Sequence, residues 1–300
     1  MVQTKFEAFA FLSNVDESIM KIRLPEGYQL RKIILTELEG VKDTIFGNST
    51  MIGILQELTN KHILDNNNAY YVYLTEVVDT DPRFNGFDYL PAFVEKIDVL
   101  RKRLNLLKLY HEGDVRIPLS KIKMGHYPGT MATETFNYIS YEKFKVGADE
   151  IDRISTILSS DIKTLKNLYL SEVFSLFEQS YTLPDLNFQF LTSMICLEML
   201  FNPGESEVSY RISRNCAVFI GGDEEESRRI FCKIRALYNH RSSYAHRGVK
   251  GKIKPEDILF LRDVIRRSLT KLDSMPNFDK TALLSRLDGL GFGEGKRLIP

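Results

Sequence analysis

The sequence predicts an α+β chain in two parts, an N-terminal mixed α+β domain followed by a C-terminal all-α helical bundle. Three observations carry this reading. Short runs rich in Phe, Tyr, Val and Ile are confined to the first half. After Gly147 these runs stop and apolar residues recur at three- and four-residue steps. Turn and cap residues in the second half leave only short loops between helical segments, which favours an antiparallel bundle. The boundaries read as 1–147 for the mixed domain, 148–276 for the helical domain and 277–300 for a tail.

In the first part, Phe6 to Leu12, Tyr70 to Val78, Val115 to Ile122 and Phe136 to Phe144 read as strands. Asn66-Asn67-Asn68 and Asp79-Thr80-Asp81-Pro82 punctuate them as turns. Leu90 to Leu109 reads as a helix, because Phe93, Ile97, Leu100, Leu104 and Leu107 fall on one face. In the second part, Ile151 to Leu176 carries one or two amphipathic helices. Pro184-Asp185 opens a helix over Leu186 to Leu200 that is apolar on most sides and so central to a bundle. Asn202-Pro203-Gly204 stops it. The next helix spans Ser206 to Ile220 and ends at Gly221-Gly222, since glycine readily follows a helix. Asp223 with Glu226 three residues on reads as a cap and its reciprocal carboxylate, opening a helix to about Tyr244. Pro255 opens another that ends near Met275-Pro276. The glycine-rich tail over 289–295 reads as flexible, and its spacing matches neither a dinucleotide fingerprint nor a phosphate-binding P-loop.

Composition bounds the function classes. Among 300 residues, 43% are hydrophobic and 27% charged, a globular balance and not that of a disordered chain. No run of about 18 apolar residues occurs, so a membrane-spanning helix is not expected. The first residues lack a basic region before a cleavable apolar stretch, so no secretory signal is read and a reducing cytoplasm is the expected location. Without such a signal, the glycosylation match at Asn48-Ser49-Thr50 carries nothing. Cys196, Cys216 and Cys232 are odd in number and widely spaced, which implies neither a disulfide framework nor zinc ligands. No metal or other cofactor is expected.

The formal net charge of zero conceals an uneven distribution. Residues 228–254 hold nine basic residues and no acidic one, leaving 31 basic against 40 acidic elsewhere. Such a local field can hold a polyanion at one place while the rest of the chain discourages unspecific adhesion. The plainer alternative is a solvated helix face and loop. The same stretch contains His240, Arg241, Ser242, Tyr244 and His246. An imidazole exchanges protons near neutral pH, and a guanidinium forks its donors onto phosphate oxygens. Together they supply what metal-free RNA cleavage requires: proton transfer at the ribose 2′-hydroxyl or the leaving 5′-oxygen, and stabilisation of phosphoryl charge. Five residues separate Arg241 from His246, ~140° around an ideal helix. Both therefore reach one phosphate only if the helix breaks at Ser242-Ser243 or if two chains share the site. Alternatively, His246 simply ends the helix, favoured by its dipole.

A resemblance weighs on this choice. Leu197-Glu198-Met199-Leu200, Asn202-Pro203-Gly204-Glu205, Ser209-Tyr210-Arg211-Ile212, the helix through Arg228-Arg229-Ile230-Phe231 and Ile234 to Tyr238, and Arg241-Ser242-Ser243-Tyr244-Ala245-His246 with Gly248 resemble the HEPN superfamily, most closely its Apea-like branch. The resemblance covers about 50 residues, from Leu197 to Gly248. It implies a helical domain that forms a homodimer and carries a metal-independent endoribonuclease (hydrolase) site, with Arg241 and His246 as the catalytic pair. It also implies a place in toxin–antitoxin or antiviral defence, with RNA as substrate and an antitoxin or trigger protein as a possible partner. Ser242 departs from the Asn, His or Asp often found after that Arg. Members that bind RNA or nucleotides without cutting supply the alternative function, a sensor or interaction module. Supporting roles fall to Ser242, Tyr244, which stacks on a base or packs, His240, and Glu198, which is expected to orient Arg241 or Arg214 or else to face solvent. Arg235, Arg247, Lys250 and Lys252 are expected to touch the RNA backbone. His62, His111 and His126 are read as structural.

Overall fold

The computed structural model describes residues 2–80, 90–125, 127–130, 143–159, 167–202, 204, 206–247, 253–275 and 277–298. Its contacts divide the chain into two compact units.

The first unit is built on an antiparallel sheet. Its strands are β1 (Val2–Ser13), β2 (Tyr28–Ile34), β3 (Leu64–Asp65), β4 (Asn68–Thr80), β5 (Arg116–Met124) and β6 (Tyr127–Thr130). The order is β2-β4-β1-β5-β6, with β3 paired to β4. Because side chains alternate along a strand, each strand feeds two cores. Phe6, Ala8, Ala10 and Leu12 of β1 point to one side with Tyr70, Val72 and Leu74 of β4. There they meet α3 (Leu90–Leu106) through Phe93, Ile97, Leu100 and Leu104, and α4 (Ile151–Ser159) through Ile154 and Leu158. Phe9, Phe11, Tyr71 and Tyr73 point to the other side, against α1 (Leu38–Ile45) and α2 (Met51–Asn60). The expected strands at Phe6, Tyr70 and Val115 and the helix at Leu90 are present; the strand expected over 136–144 falls largely outside the described residues. One expectation is corrected. The sequence places residues from 148 onward in the helical part, but α4 belongs to the first unit because Ile154 and Leu158 complete the sheet's core.

The second unit is helical. Its main helices are α5 (Leu168–Ser180), α6 (Leu186–Phe201), α7 (Val208–Ile220), α8 (Glu224–Arg247) and α9 (Pro255–Asp273), followed by α10 (Lys280–Asp288). Each start has a local cause. Asn167 accepts from the backbone N–H of Tyr169, Asp185 from those of Asn187 and Phe188, and Asp279 from that of Ala282. Pro255 occupies the first turn of α9, where no N–H is needed. Asp223 accepts from Glu226 N–H at 2.8 Å. The Glu226 carboxylate does not close onto Asp223; it accepts from Gly222 N–H at 2.7 Å and pairs with Arg267 at 2.9 Å. As its apolarity on most sides predicts, α6 is central, packing on α5, α7, α8 and α9. Phe190, Met194, Leu197, Leu200 and Phe201 are fully buried along it, each contributing about 1.5–3 kcal/mol.

The segment expected as a tail over 277–300 belongs to the helical unit and carries α10, and its glycine stretch is not the loose segment its composition suggests. Gly293 has φ +83°, and an added Cβ would lie 2.8 Å from the backbone nitrogen of Glu224. Its N–H donates to Ser227 Oγ at 3.1 Å. Lys271 Nζ donates to the Gly295 carbonyl at 3.1 Å, and Leu298 is buried. Glycine here permits close approach of two backbones, not freedom.

Candidate functional site

The candidate site lies where α6 and α8 face each other. Glu198, one turn before the end of α6, and Arg241, two turns before the end of α8, form an ion pair across the two helices. Arg241 Nε is 2.8 Å from Glu198 Oε1, and Nη2 donates to Oε2 at 3.1 Å. The Nε approach is a charge contact whose N–H direction departs from hydrogen-bond geometry, so Nη2 carries the aligned bond. The side chains are 19% and 22% exposed, so the pair is sheltered but reachable from solvent. Of the three orientations expected for Glu198, toward Arg241, toward Arg214 or into solvent, the one toward Arg241 is found. Arg214 is engaged elsewhere, donating to the carbonyls of Leu287, Asp288 and Leu290 and so closing the C-terminal end of α10.

Tyr238 completes this cluster and was not singled out from the sequence as a site residue. Its ring centroid lies 5.7 Å from Arg241 Cζ, within cation–π range. Burial pushes its phenol pKa up, and the adjacent Glu198 charge adds to that push. The available signal was spacing: positions 238 and 241 are three apart on one helix and therefore neighbours on its surface.

The remaining expected residues are distributed as follows. Helix α8 runs unbroken through Ser242-Ser243 to Arg247. In one chain, positions 241 and 246 thus stay ~140° apart around the axis. Ser242 and His240 are exposed, and Tyr244 is half-buried. The side chains of His246 and Arg247 lie outside the described part, and so do residues Lys250 and Lys252. His111 is tied locally, 3.4 Å from Glu150 and edge-on to Phe144, in keeping with a structural reading; His126 lies outside the described residues.

The basic stretch is more neutralised than its sequence suggests. Arg228 pairs with Glu224, Arg229 with Glu226, Lys233 with Asp257 and Arg241 with Glu198. Arg235 is exposed and faces no carboxylate among the described residues; its Cζ lies 5.8 Å from the ring centre of Phe231.

Among the described residues, no group of three or more His, Cys, Asp or Glu is placed to hold a metal ion, and no helix is long and apolar enough to cross a membrane. The cysteines are unpaired; Cys196 and Cys216 are buried, and burial raises the Cys196 thiol to about 12. These two are packing groups, since the thiolate is the reactive form. The fold and cluster define an α+β chain whose helical unit carries a carboxylate-held guanidinium on its longest helix. Comparison with family models, with curated proteins and with solved structures finds no match to this chain.

Proposed function

We propose that the protein is a metal-independent endoribonuclease of the HEPN type, acting on RNA in a defence role. Two copies pair through their helical units and present Arg241 and His246 from both α8 helices to one phosphodiester. The ribose 2′-oxygen loses its proton and attacks the adjacent phosphorus. The bond to the 5′-oxygen breaks, and that oxygen takes up a proton. The products are a 2′,3′-cyclic phosphate and a 5′-hydroxyl, with no net consumption of water. His246 exchanges the proton, and Arg241 stabilises charge on the phosphoryl oxygens.

The observation that supports this best is the Glu198–Arg241 pair. Glu198 accepts a hydrogen bond from Nη2 and lies in charge contact with Nε, holding the guanidinium from one side, while Nη1 meets no acceptor among the described residues. A partly exposed guanidinium held from one side is pre-organised for a phosphate on the other. The unbroken helix supports a shared site, because one chain alone separates the two positions around the axis. In the presence of chelator, the full-length chain is expected to cleave RNA to cyclic-phosphate ends. Arg241→Ala and His246→Ala are each expected to reduce the rate by about 10²–10³-fold with the folded state and dimerisation retained. A strictly monomeric chain that still cleaved, or cleavage persisting in both variants, would overturn the proposal.

A second reading has its own observation. Arg241 is already neutralised by Glu198, and three further basic residues of the stretch are paired. That arrangement suits RNA binding without turnover, by a sensor or interaction module. Affinity that falls steeply with salt, with RNA intact after long incubation, would select it.

A further inference from the structure

A second feature on α8 lies away from the Glu198–Arg241 pair. Tyr210 of α7, Phe231 of α8 and Phe292 of the tail form one aromatic cluster. The Tyr210 and Phe231 rings meet edge-on, with centroids 5.7 Å apart and planes at 82°. Phe231 and Phe292 are 5.6 Å apart and tilted by 49°. The inner part has a structural use, since Phe292 anchors the tail beside Gly293. Tyr210 exceeds that use: it is 45% exposed, and its hydroxyl bonds to no group among the described residues. Over Phe231 lies Arg235, the exposed cation that faces no carboxylate among the described residues while its neighbours on the helix are paired. An aromatic surface joined to an unneutralised guanidinium has the chemistry of a single-strand nucleotide: a π-face for the base and a cation for the phosphate. An acidic protein would use the cation and leave the tyrosine face idle.

The helix register links this feature to the proposed centre. At 100° per residue, positions 231, 235, 242 and 246 fall within about 60° of one another, along one face of α8. Asn239 and Ser242, both exposed, lie on that face between Arg235 and position 246. From Phe231 to position 246 the helix rises ~22 Å, roughly six nucleotides of a stacked strand at about 3.4 Å each.

We propose that Tyr210, Phe231 and Arg235 form a subsite for single-stranded RNA, Tyr210 stacking on a base and Arg235 holding a phosphate, at a fixed distance along α8 from His246. Its role as a substrate subsite rests on the ribonuclease reading above; its existence as a binding surface does not.

The test separates the two. The probe is a short fluorescent 2′-O-methyl oligonucleotide, whose blocked 2′-oxygen prevents cleavage, compared with an abasic phosphodiester chain of equal length. Binding to the full-length protein is followed by anisotropy across a salt series. Tyr210→Ala is expected to weaken the base-bearing probe roughly tenfold, the scale of one stacked base, and to leave the abasic probe unchanged. Tyr210→Phe, which keeps the ring, should restore binding. Arg235→Gln should weaken both probes and reduce the salt slope by about one. Equal affinity of wild type and Tyr210→Ala for the base-bearing probe overturns the subsite, as does equal weakening of both probes. If these effects appear but unblocked RNA stays intact, the subsite stands and the nuclease reading falls. If RNA is cut and Tyr210→Ala binds normally, the reverse holds.

Discussion

Each unit contains a carboxylate gripped by a cation, and the two grips differ in a way that separates scaffold from site. In the first unit, Asp114 lies between Lys108 at 2.8 Å and Arg116 Nε at 2.6 Å. The Asp114 and Lys108 side chains are each 1% exposed, and Asn105 binds the same ammonium at 3.0 Å. That cluster ties the turn after α3 to the start of β5 and is sealed from any ligand. In the second unit, Glu198 and Arg241 retain about a fifth of their exposure and sit near the end of a long helix. The same chemical pairing is structural where water and ligands are shut out, and available for function where one edge of the cation stays accessible.

The largest expected effect breaks the sealed grip. Asp114→Asn removes the carboxylate charge that the buried Lys108 ammonium and Arg116 share and should destabilise the first unit by about 3–5 kcal/mol. Thermal or denaturant unfolding would register it, and a loss below about 1 kcal/mol would show that the cluster is hydrated in solution. Next comes Glu198→Gln, which keeps the size of the side chain but removes its charge. A loss of only about 1–2 kcal/mol is expected in the melt, alongside a fall in RNA cleavage far larger than that loss explains. Unchanged cleavage and unchanged stability together would end the positioning role of Glu198.

The smallest effect concerns acid. The Glu226 carboxyl is held below its ordinary value of 4.5, chiefly by the Gly222 N–H and also by Arg267, against the opposing effect of burial. A carboxyl depressed in the folded state adds stability that is complete above the unfolded pKa and vanishes as pH falls through the folded one. The difference in melting temperature between wild type and Glu226→Gln should therefore shrink below about pH 4.5. A difference that stays constant into acid would assign the contribution to packing.

Much of the helical unit was legible because its signals are local. Asp185, Asp223 and Pro255 mark starts within a turn of where the helices begin, and the apolar register of α6 announced its central place. Strand β2 and helices α1 and α2 were not read, because they are short and expose much of their length to solvent. Their structure comes from pairing with β4 and packing on Phe11 and Tyr71, partners distant in sequence. Tail order was misread for the same reason: glycine's freedom is a local property, whereas its fit against Glu224 and Ser227 is not.

By itself, then, the sequence determined the order of α6 to α9 in the second unit, the aromatic and β-branched runs of the long strands and the chemical identity of the basic stretch. All three depend on neighbours within a few residues, through periodicity, capping and composition. Only the tertiary structure decided which cations remain available, because neutralisation depends on distance in space. Glu198 reaches Arg241 across 43 residues, and Asp257 reaches Lys233 across 24. Arg235, indistinguishable from its neighbours in the sequence, is the one exposed guanidinium among the described side chains of that stretch for which the fold supplies no carboxylate.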